Sequence, residues 1–207
     1  MQVELREYKK QDYGVLKEII RKTWQYDRFC DPKTAGKLAD VFLSSCLTNE
    51  TFSRVAVVDG KVEGIILANH KAVHKCPLGR RLHQIRALAS LYLSRGGRKA
   101  ARIFGSVHGI DQELLKECGG TYPAELALFA VSDSCRGMGV GKRLFQAAME
   151  YLSGEKVEKF YLFTDTSCNY GFYEHQGMVR RCEKNHTFQV AGETSKMAFF
   201  IYDQICQ

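Results

Sequence analysis

The chain opens with VELREY, where apolar and charged residues alternate with a period of two and predict a strand with one buried face. Val15, Leu16, Ile19, Ile20 and Trp24 then recur at helical spacing, and a second helix is expected between Pro32 and Leu47. FSRVAVVDGKVEGIILANH reads as two strands joined by Asp59-Gly60, a dipeptide that accepts the positive φ of a tight hairpin turn. Residues 71–120 break this rhythm. HQIRALASLYLSRGGRKAARIF is helical in pattern on either side of Gly96-Gly97, and DQELLKE predicts a further short helix. AELALFAV returns to a strand and runs into a glycine corner, after which Leu144, Phe145, Ala148, Tyr151 and Leu152 mark one face of a helix. EKFYLFTD predicts the next strand, CNYGFYEHQ a short helix, and GMVRRCEKNHTFQV with SKMAFFIYDQ a closing antiparallel pair. With no repeat, low-complexity tract or linker, the pattern describes one mixed α/β domain over residues 1–207, with a helical insertion at about 71–120.

Composition narrows the class without naming a function. At 45% hydrophobic and 26% charged, the chain has the make-up of an ordinary globular protein with a real core. No apolar run approaches the roughly 18 residues that a membrane span needs. MQVELREYKK has no signal-peptide core, so a cytoplasmic protein without a membrane partner is expected. The cysteines at 30, 46, 76, 118, 135, 168, 182 and 206 are scattered singly, without the close spacing that zinc sites and redox pairs use. They read as reduced thiols serving as small apolar residues, and no metal is expected. The net charge of +7 is unevenly placed: Lys75, Arg80, Arg81, Arg86, Arg95, Arg98, Lys99 and Arg102 follow one another with no acid between them. Such a run suits an anionic ligand, nucleic acid or plain solvent.

The chemistry concentrates in CRGMGVGKRL, residues 135–144, at the corner between a strand and a helix. Glycines there let backbone N–H groups at a helix N-terminus approach an anion closely, with Arg136, Lys142 and Arg143 adding charge. A P-loop is a poor match, because Gly141-Lys142 is followed by Arg143 and not by the hydroxyl that would hold magnesium. A dinucleotide fingerprint is matched by Gly137 and Gly139, but Lys142 stands where its third glycine belongs. Asp165, closing the next strand, lies near the place of a ribose-binding acid and keeps that reading open.

Arg136-Gly137-Met138-Gly139-Val140-Gly141 resembles the [RQ]xxGx[GA] signature of the GNAT superfamily, the GCN5-related N-acetyltransferases. Phe172-Tyr173-Glu174-His175-Gln176-Gly177-Met178, about 30 residues on, resembles that family's second motif, and the order of elements is similar throughout except at residues 71–120. The resemblance implies a mixed, strongly twisted sheet flanked by helices, with the helical insertion before the fourth strand. That sheet is split between the strand ending at Val131 and the strand ending at Asp165. It implies direct transfer of acetyl from acetyl-CoA to a primary amine, in a ternary complex and without a covalent intermediate. Backbone groups of Phe129, Ala130 and Val131 would pair with the pantetheine arm, and Gly137, Met138, Gly139, Val140, Gly141 and Lys142, beside Arg136, would hold the pyrophosphate. Ser167 stands where the family often carries an asparagine, six residues before the motif's tyrosine; it is grouped with the coenzyme-binding residues, while Asn169 is nearby but offset.

Tyr173 matches the tyrosine that protonates the departing thiolate, and Glu125 the position of a general-base glutamate in histone-type members. The chemistry wants such a base, since an ammonium with a pKa of about 10 must lose its proton before nitrogen attacks a thioester. His70 and His74 are alternative bases, and Trp24, Tyr26 and Phe29 a candidate substrate wall. Cys135 and Cys168 flank the site without an evident histidine partner. The alternative expectation is a catalytically silent acyl-CoA-binding or nucleic-acid-associated accessory module; against the latter, Ile85, Leu88, Leu91 and Leu93 interrupt the basic run. The acceptor, a small-molecule or peptide amine, is left open, as is the oligomeric state.

Overall fold

A computed structural model describes residues 2–190 and 193–206. Seven strands form one mixed sheet in the order β1-β2-β3-β4-β5-β7-β6. The elements are β1 (Val3–Arg6), α1 (Tyr13–Thr23), α2 (Pro32–Asn49), β2 (Phe52–Val58), β3 (Lys61–His70), α3 (Leu78–Tyr92), α4 (Arg95–Glu117), β4 (Ala124–Val131), α5 (Val140–Gly154), β5 (Lys159–Asp165), α6 (Gly171–His175), β6 (Val179–Val190) and β7 (Glu193–Ile205). All neighbouring strands are antiparallel except β4 and β5. A parallel neighbour needs a crossover, and α5 supplies it.

Local chemistry sets the boundaries. Asp31 caps α2 by accepting from the N–H groups of Lys33 and Thr34 at 3.1 Å, with Pro32 at the first helical position. Asp59 and Gly60 both take positive φ, 47° and 80°, which gives the β2–β3 hairpin its tight turn. One core lies under α5: Leu144, Phe145, Ala148 and Leu152 meet Ile66, Leu126, Phe160 and Leu162 from the sheet. On the opposite face α1 and α2 cover Val55, Ile65, Leu67 and Leu128, while Ile110 and Leu114 of α4 cover Tyr161, Phe199 and Ile201.

The insertion differs from its sequence pattern. Gly96-Gly97 does not divide two helices; the break falls at Leu93-Ser94, and both glycines sit in the first turn of α4. They are there for close approach: a Cβ on Gly97 would lie 1.9 Å from the Leu91 carbonyl oxygen, and one on Gly96 2.9 Å from Thr34 Oγ1. Residues of DQELLKE continue the same helix, because Ala100, Ile110 and Leu114 keep one helical face buried. The cysteines are free thiols; Cys118 and Cys182, far apart in sequence, bring their Sγ atoms to 2.7 Å, and burial pushes the Cys118 thiol up to about 12. No helix among the described residues is long and apolar enough to cross a membrane.

Candidate active site

β4 and β5 pair only at Ala124–Phe160 and Glu125–Tyr161. From Leu126 to Val131 the β4 edge facing β5 has no strand partner, although its other edge stays paired with β3. This is the split expected from the sequence, and it leaves backbone groups of Phe129, Ala130 and Val131 along an open edge. The β3–β4 register shifts between Leu67 and Ala68, which pair with Leu128 and Leu126, so Ala127 bulges out of the ladder.

The open edge leads to the glycine corner. Gly137 and Gly139 hold φ of 75° and 73°, and a Cβ on either would meet nothing within 4 Å. Among the described residues, the N–H groups of Gly137, Gly139, Val140, Gly141 and Lys142 have no protein acceptor; the first helical bond runs from Arg143 N–H to the Gly139 carbonyl at 3.1 Å. Free donors, an α5 N-terminus and open space make a cradle for an anion. Arg136 is exposed and paired with Asp133 at 2.7 Å, Met138 and Lys142 are exposed, and Val140 is buried beneath the loop. Ser167 hydrogen-bonds the Asp165 carboxylate through both its N–H and its hydroxyl, closing the turn after β5. Asp165 therefore serves that turn and the pocket described next.

Where β4 and β5 last touch, Glu125 and Tyr161 stand side by side and point to the face covered by α1, α2 and α4. Burial raises the Glu125 pKa, and the neighbouring Tyr161 with the charges of Lys71 and His108 only partly offsets the rise. Lys71 Nζ lies 5.0 Å from the Tyr161 ring centre. Across the β3–β4 ladder Asn69 pairs with Glu125, and its buried Oδ1 has no hydrogen-bond partner. Asp111, on the inner side of α4 between Ile110 and Leu114, reaches the same pocket. Burial and the like charges of Asp165 and Glu125 push its carboxyl up to about 7.

Tyr173 lies on α6, half-buried, with ring centres 6.4 Å from Phe129 and 5.9 Å from Tyr202. Burial, then Cys168 and Asp165, raise its pKa, so its phenol stays protonated at neutral pH. A helix of five residues needs outside support. Arg180 supplies it by donating to Glu174 at 2.8 Å and to the Tyr202 hydroxyl at 2.9 Å, with its guanidinium 4.1 Å from the Phe200 ring centre.

Other expectations are corrected. His70 pairs with Ala124, so it faces the opposite side of the sheet from Glu125, toward Glu155 at 3.9 Å. His74 Nε2 lies 3.1 Å from the Thr48 carbonyl. Neither histidine meets Glu125, and the strand alternation explains His70. Of the aromatic wall, Trp24 packs edge-on against Phe42 at 5.2 Å. Tyr26 is buried against Phe104 and lies close enough to Cys46, Cys168 and Asp165 for their charges to raise its pKa. Burial pushes the Cys168 thiol up to about 11, and Cys135 is buried in the core under α5, so neither is poised as a thiolate nucleophile. Among the described residues no group of three or more His, Cys, Asp or Glu converges as a metal site. Sequence reading missed Tyr161, Asn69, Asp111 and Arg180. The strand alternation ahead of Asp165 holds a signal for Tyr161, but nothing in sequence ties α4 to this pocket.

Comparison with known proteins agrees with this geometry. The model of the acetyltransferase (GNAT) family matches residues 16–178. Among solved structures, SsHAT is 15% identical with a TM-score of 0.66, each chain covered 100%. An N-acetyltransferase from Staphylococcus aureus Mu50 is 15% identical over 100% of both chains with a TM-score of 0.57. The ribosomal-protein-S18-alanine N-acetyltransferase from Escherichia coli is 11% identical, covering 100% of this chain and 95% of its own, with a TM-score of 0.57. At these identities the likeness is one of fold. A comparison with curated proteins found no match.

Proposed function

The chain belongs to the acetyltransferase (GNAT) family, and on that premise we propose that it moves acetyl from acetyl-CoA directly to a primary amine in a ternary complex. The observation that carries the reading is the open β4 edge running into a glycine corner with five unpaired N–H donors. Backbone groups of Phe129 to Val131 would take the pantetheine arm as an added strand, and Gly137 to Lys142 the pyrophosphate.

Glu125 serves as general base, beside Tyr161 of the neighbouring strand. Its raised pKa moves it toward neutrality, where a base works best. It takes a proton from the acceptor ammonium; the neutral nitrogen attacks the thioester carbonyl; Tyr173 gives its proton to the thiolate as the carbon–sulfur bond breaks, and the second proton released by the acetylated nitrogen restores the phenol. The acidic lining from Glu125, Asp111 and Asp165 favours an acceptor that arrives as a cation, with Asp111 and Asp165 drawing in a second positive group beyond the reacting one.

Thermal unfolding with coenzyme A, NAD or ATP at equal concentration tests the cradle: stabilisation by coenzyme A alone is expected, and a larger response to NAD would restore the dinucleotide reading. Release of free thiol from acetyl-CoA with a panel of mono- and diamines tests the reaction. Binding without turnover on any amine would leave the silent acyl-CoA-binding module in its place.

A further inference from the structure

The helix α3 has two apolar faces and only one is used. Ala87 and Leu91 are buried against the body of the protein, and Arg80 reaches the Leu47 carbonyl at 2.8 Å and the Glu50 carboxylate. On the opposite side Leu78, Leu82, Ile85 and Tyr92 follow at helical spacing and are 75%, 46%, 53% and 54% exposed, with Leu93 beyond the helix end at 83%. Ala89 continues the stripe, and Arg81 and Arg86 flank it on either side. Among the described residues, six of the ten exposed large hydrophobic side chains, counting Val73, fall in this segment; the other four, Val15, Met138, Val179 and Ile205, are dispersed along the chain. Single exposed apolar residues need no account, whereas a contiguous stripe rimmed by cations does.

Positive charge continues from the stripe along the sequence. Arg98 donates to the Tyr92 carbonyl at 3.0 Å, which ties the start of α4 to the end of α3, and Arg95, Lys99 and Arg102 are exposed on the same turns. No acidic residue occurs in sequence between Glu63 and Asp111. We propose that the outer face of α3, with the basic first turns of α4, docks on an anionic lipid surface, α3 lying in the interface plane with its leucines toward the acyl chains and its arginines among the headgroups.

The mixture of side chains selects this occupant. An in-plane amphipathic helix uses an apolar face bordered by Lys and Arg, and α3, at about 22 Å, is long enough to lie in the interface without crossing it. Nucleic acid would engage the cations, but gives no return for the leucines along the centre of the stripe. A second copy of this chain would set Arg81 and Arg86 against their own counterparts, with no carboxylate on α3 itself to pair them. The sequence argument against a membrane partner concerned spanning; the exposed stripe revises it to peripheral contact.

The test is co-sedimentation of the full chain with vesicles of phosphatidylcholine alone and with about a third phosphatidylglycerol. Binding at least about tenfold stronger to the anionic vesicles, and falling as salt rises, is expected, since each basic residue near the surface contributes about fivefold. Leu82→Ser with Ile85→Ser alters only exposed positions, so the melting curve should stay that of the parent while vesicle binding drops about tenfold or more. Arg81→Glu with Arg86→Glu should lower it as well. Four results would each overturn the proposal: no preference for anionic vesicles, full binding by the serine variant, binding to duplex DNA in place of vesicles, or a concentration-dependent dimer that the serine variant abolishes. Because no step of this assay involves coenzyme or turnover, its failure is distinct from failure of the transferase reading.

Discussion

Replacing Gly139 by Ala separates what the glycine does for the fold from what it does for the ligand. Gly139 sits at φ 73°, where an L-residue costs about 1–2 kcal/mol. An added Cβ meets no protein atom within 4 Å, so no steric cost is expected beyond the backbone strain. For a chain of this length 1 kcal/mol corresponds to about 2–4 °C, so the free variant should melt about 2–8 °C below the parent. Coenzyme A at about 100 times its Kd stabilises by about 2.7 kcal/mol, or about 5–11 °C. If the loop N–H groups hold the pyrophosphate, the new methyl enters the space that the ligand must occupy, and a tenfold loss of affinity removes about 1.4 kcal/mol of that response. Gly141→Ala is the control for the fold: its φ is not positive and its Cβ would rest 3.4 Å from Phe129 Cζ, an ordinary contact. Ala is also the better helix former by about 1 kcal/mol, so the free Gly141 variant should melt at or above the parent. Scanning calorimetry with and without coenzyme A measures both effects. A Gly139→Ala protein that melts lower yet keeps the full ligand response would refute the cradle, because the strain would be present and the binding untouched.

The remaining predictions concern the chemistry. Glu125→Gln should lower kcat/KM at neutral pH by about 100-fold or more and recover as pH approaches the amine's own pKa of about 10; an acidic limb identical to the parent's would remove Glu125 as base. Tyr173→Phe keeps the ring contacts to Phe129 and Tyr202 and should lower kcat by about 10- to 1000-fold, with the thermal response to coenzyme A unchanged. Asp111→Asn removes a carboxyl that is ionised only above about pH 7, so it should raise KM for diamines more than for monoamines at alkaline pH and leave the acidic limb of kcat/KM near the parent's. The same variant reports on stability: between its ordinary 3.8 and about 7 the native carboxyl binds more proton than the unfolded one, so that contribution to stability falls as pH rises, and the Asn protein should gain on the parent above pH 7.

The strands, α5 and the glycine corner were legible in sequence because each depends on neighbours close along the chain: alternation in AELALFAV, the turn dipeptide Asp59-Gly60, and glycines before an apolar helical face. Gly96-Gly97 misled because glycine has two physical uses. Local pattern reads it as a break, whereas here the missing Cβ admits the Leu91 carbonyl and Thr34. Motifs marked Glu125 and Tyr173, but their supports come from elsewhere in the fold. Tyr161 reaches Glu125 by strand pairing, and Arg180 holds Glu174 from the neighbouring strand. His70 shows the opposite error, since nearness in sequence to Asn69 does not survive the alternation of a strand, which turns the two side chains to opposite faces.

The basic run of residues 75–102 shows why net charge is a poor guide to a site. Summed along the sequence, the insertion is a cationic block, and that sum leaves an anionic ligand, nucleic acid and plain solvent open. A helix divides its residues among faces, however, and a charge acts chiefly within about a Debye length, 8–10 Å, and more strongly where water is excluded. Apart from Arg80, which pairs with Glu50, the arginines of α3 and of the first turns of α4 are turned to solvent, where screening weakens their reach into the interior. The first acid after the run, Asp111, lies on the inner side of α4, where burial and the charges of Asp165 and Glu125 raise its pKa. One insertion therefore sets two fields of opposite sign, a positive one outward over the apolar stripe and a negative one inward at the acceptor pocket. In the proposed roles, the inward field would bear on the choice of acceptor and the outward one on docking, and separate substitutions on opposite faces of the same helices should move one without the other.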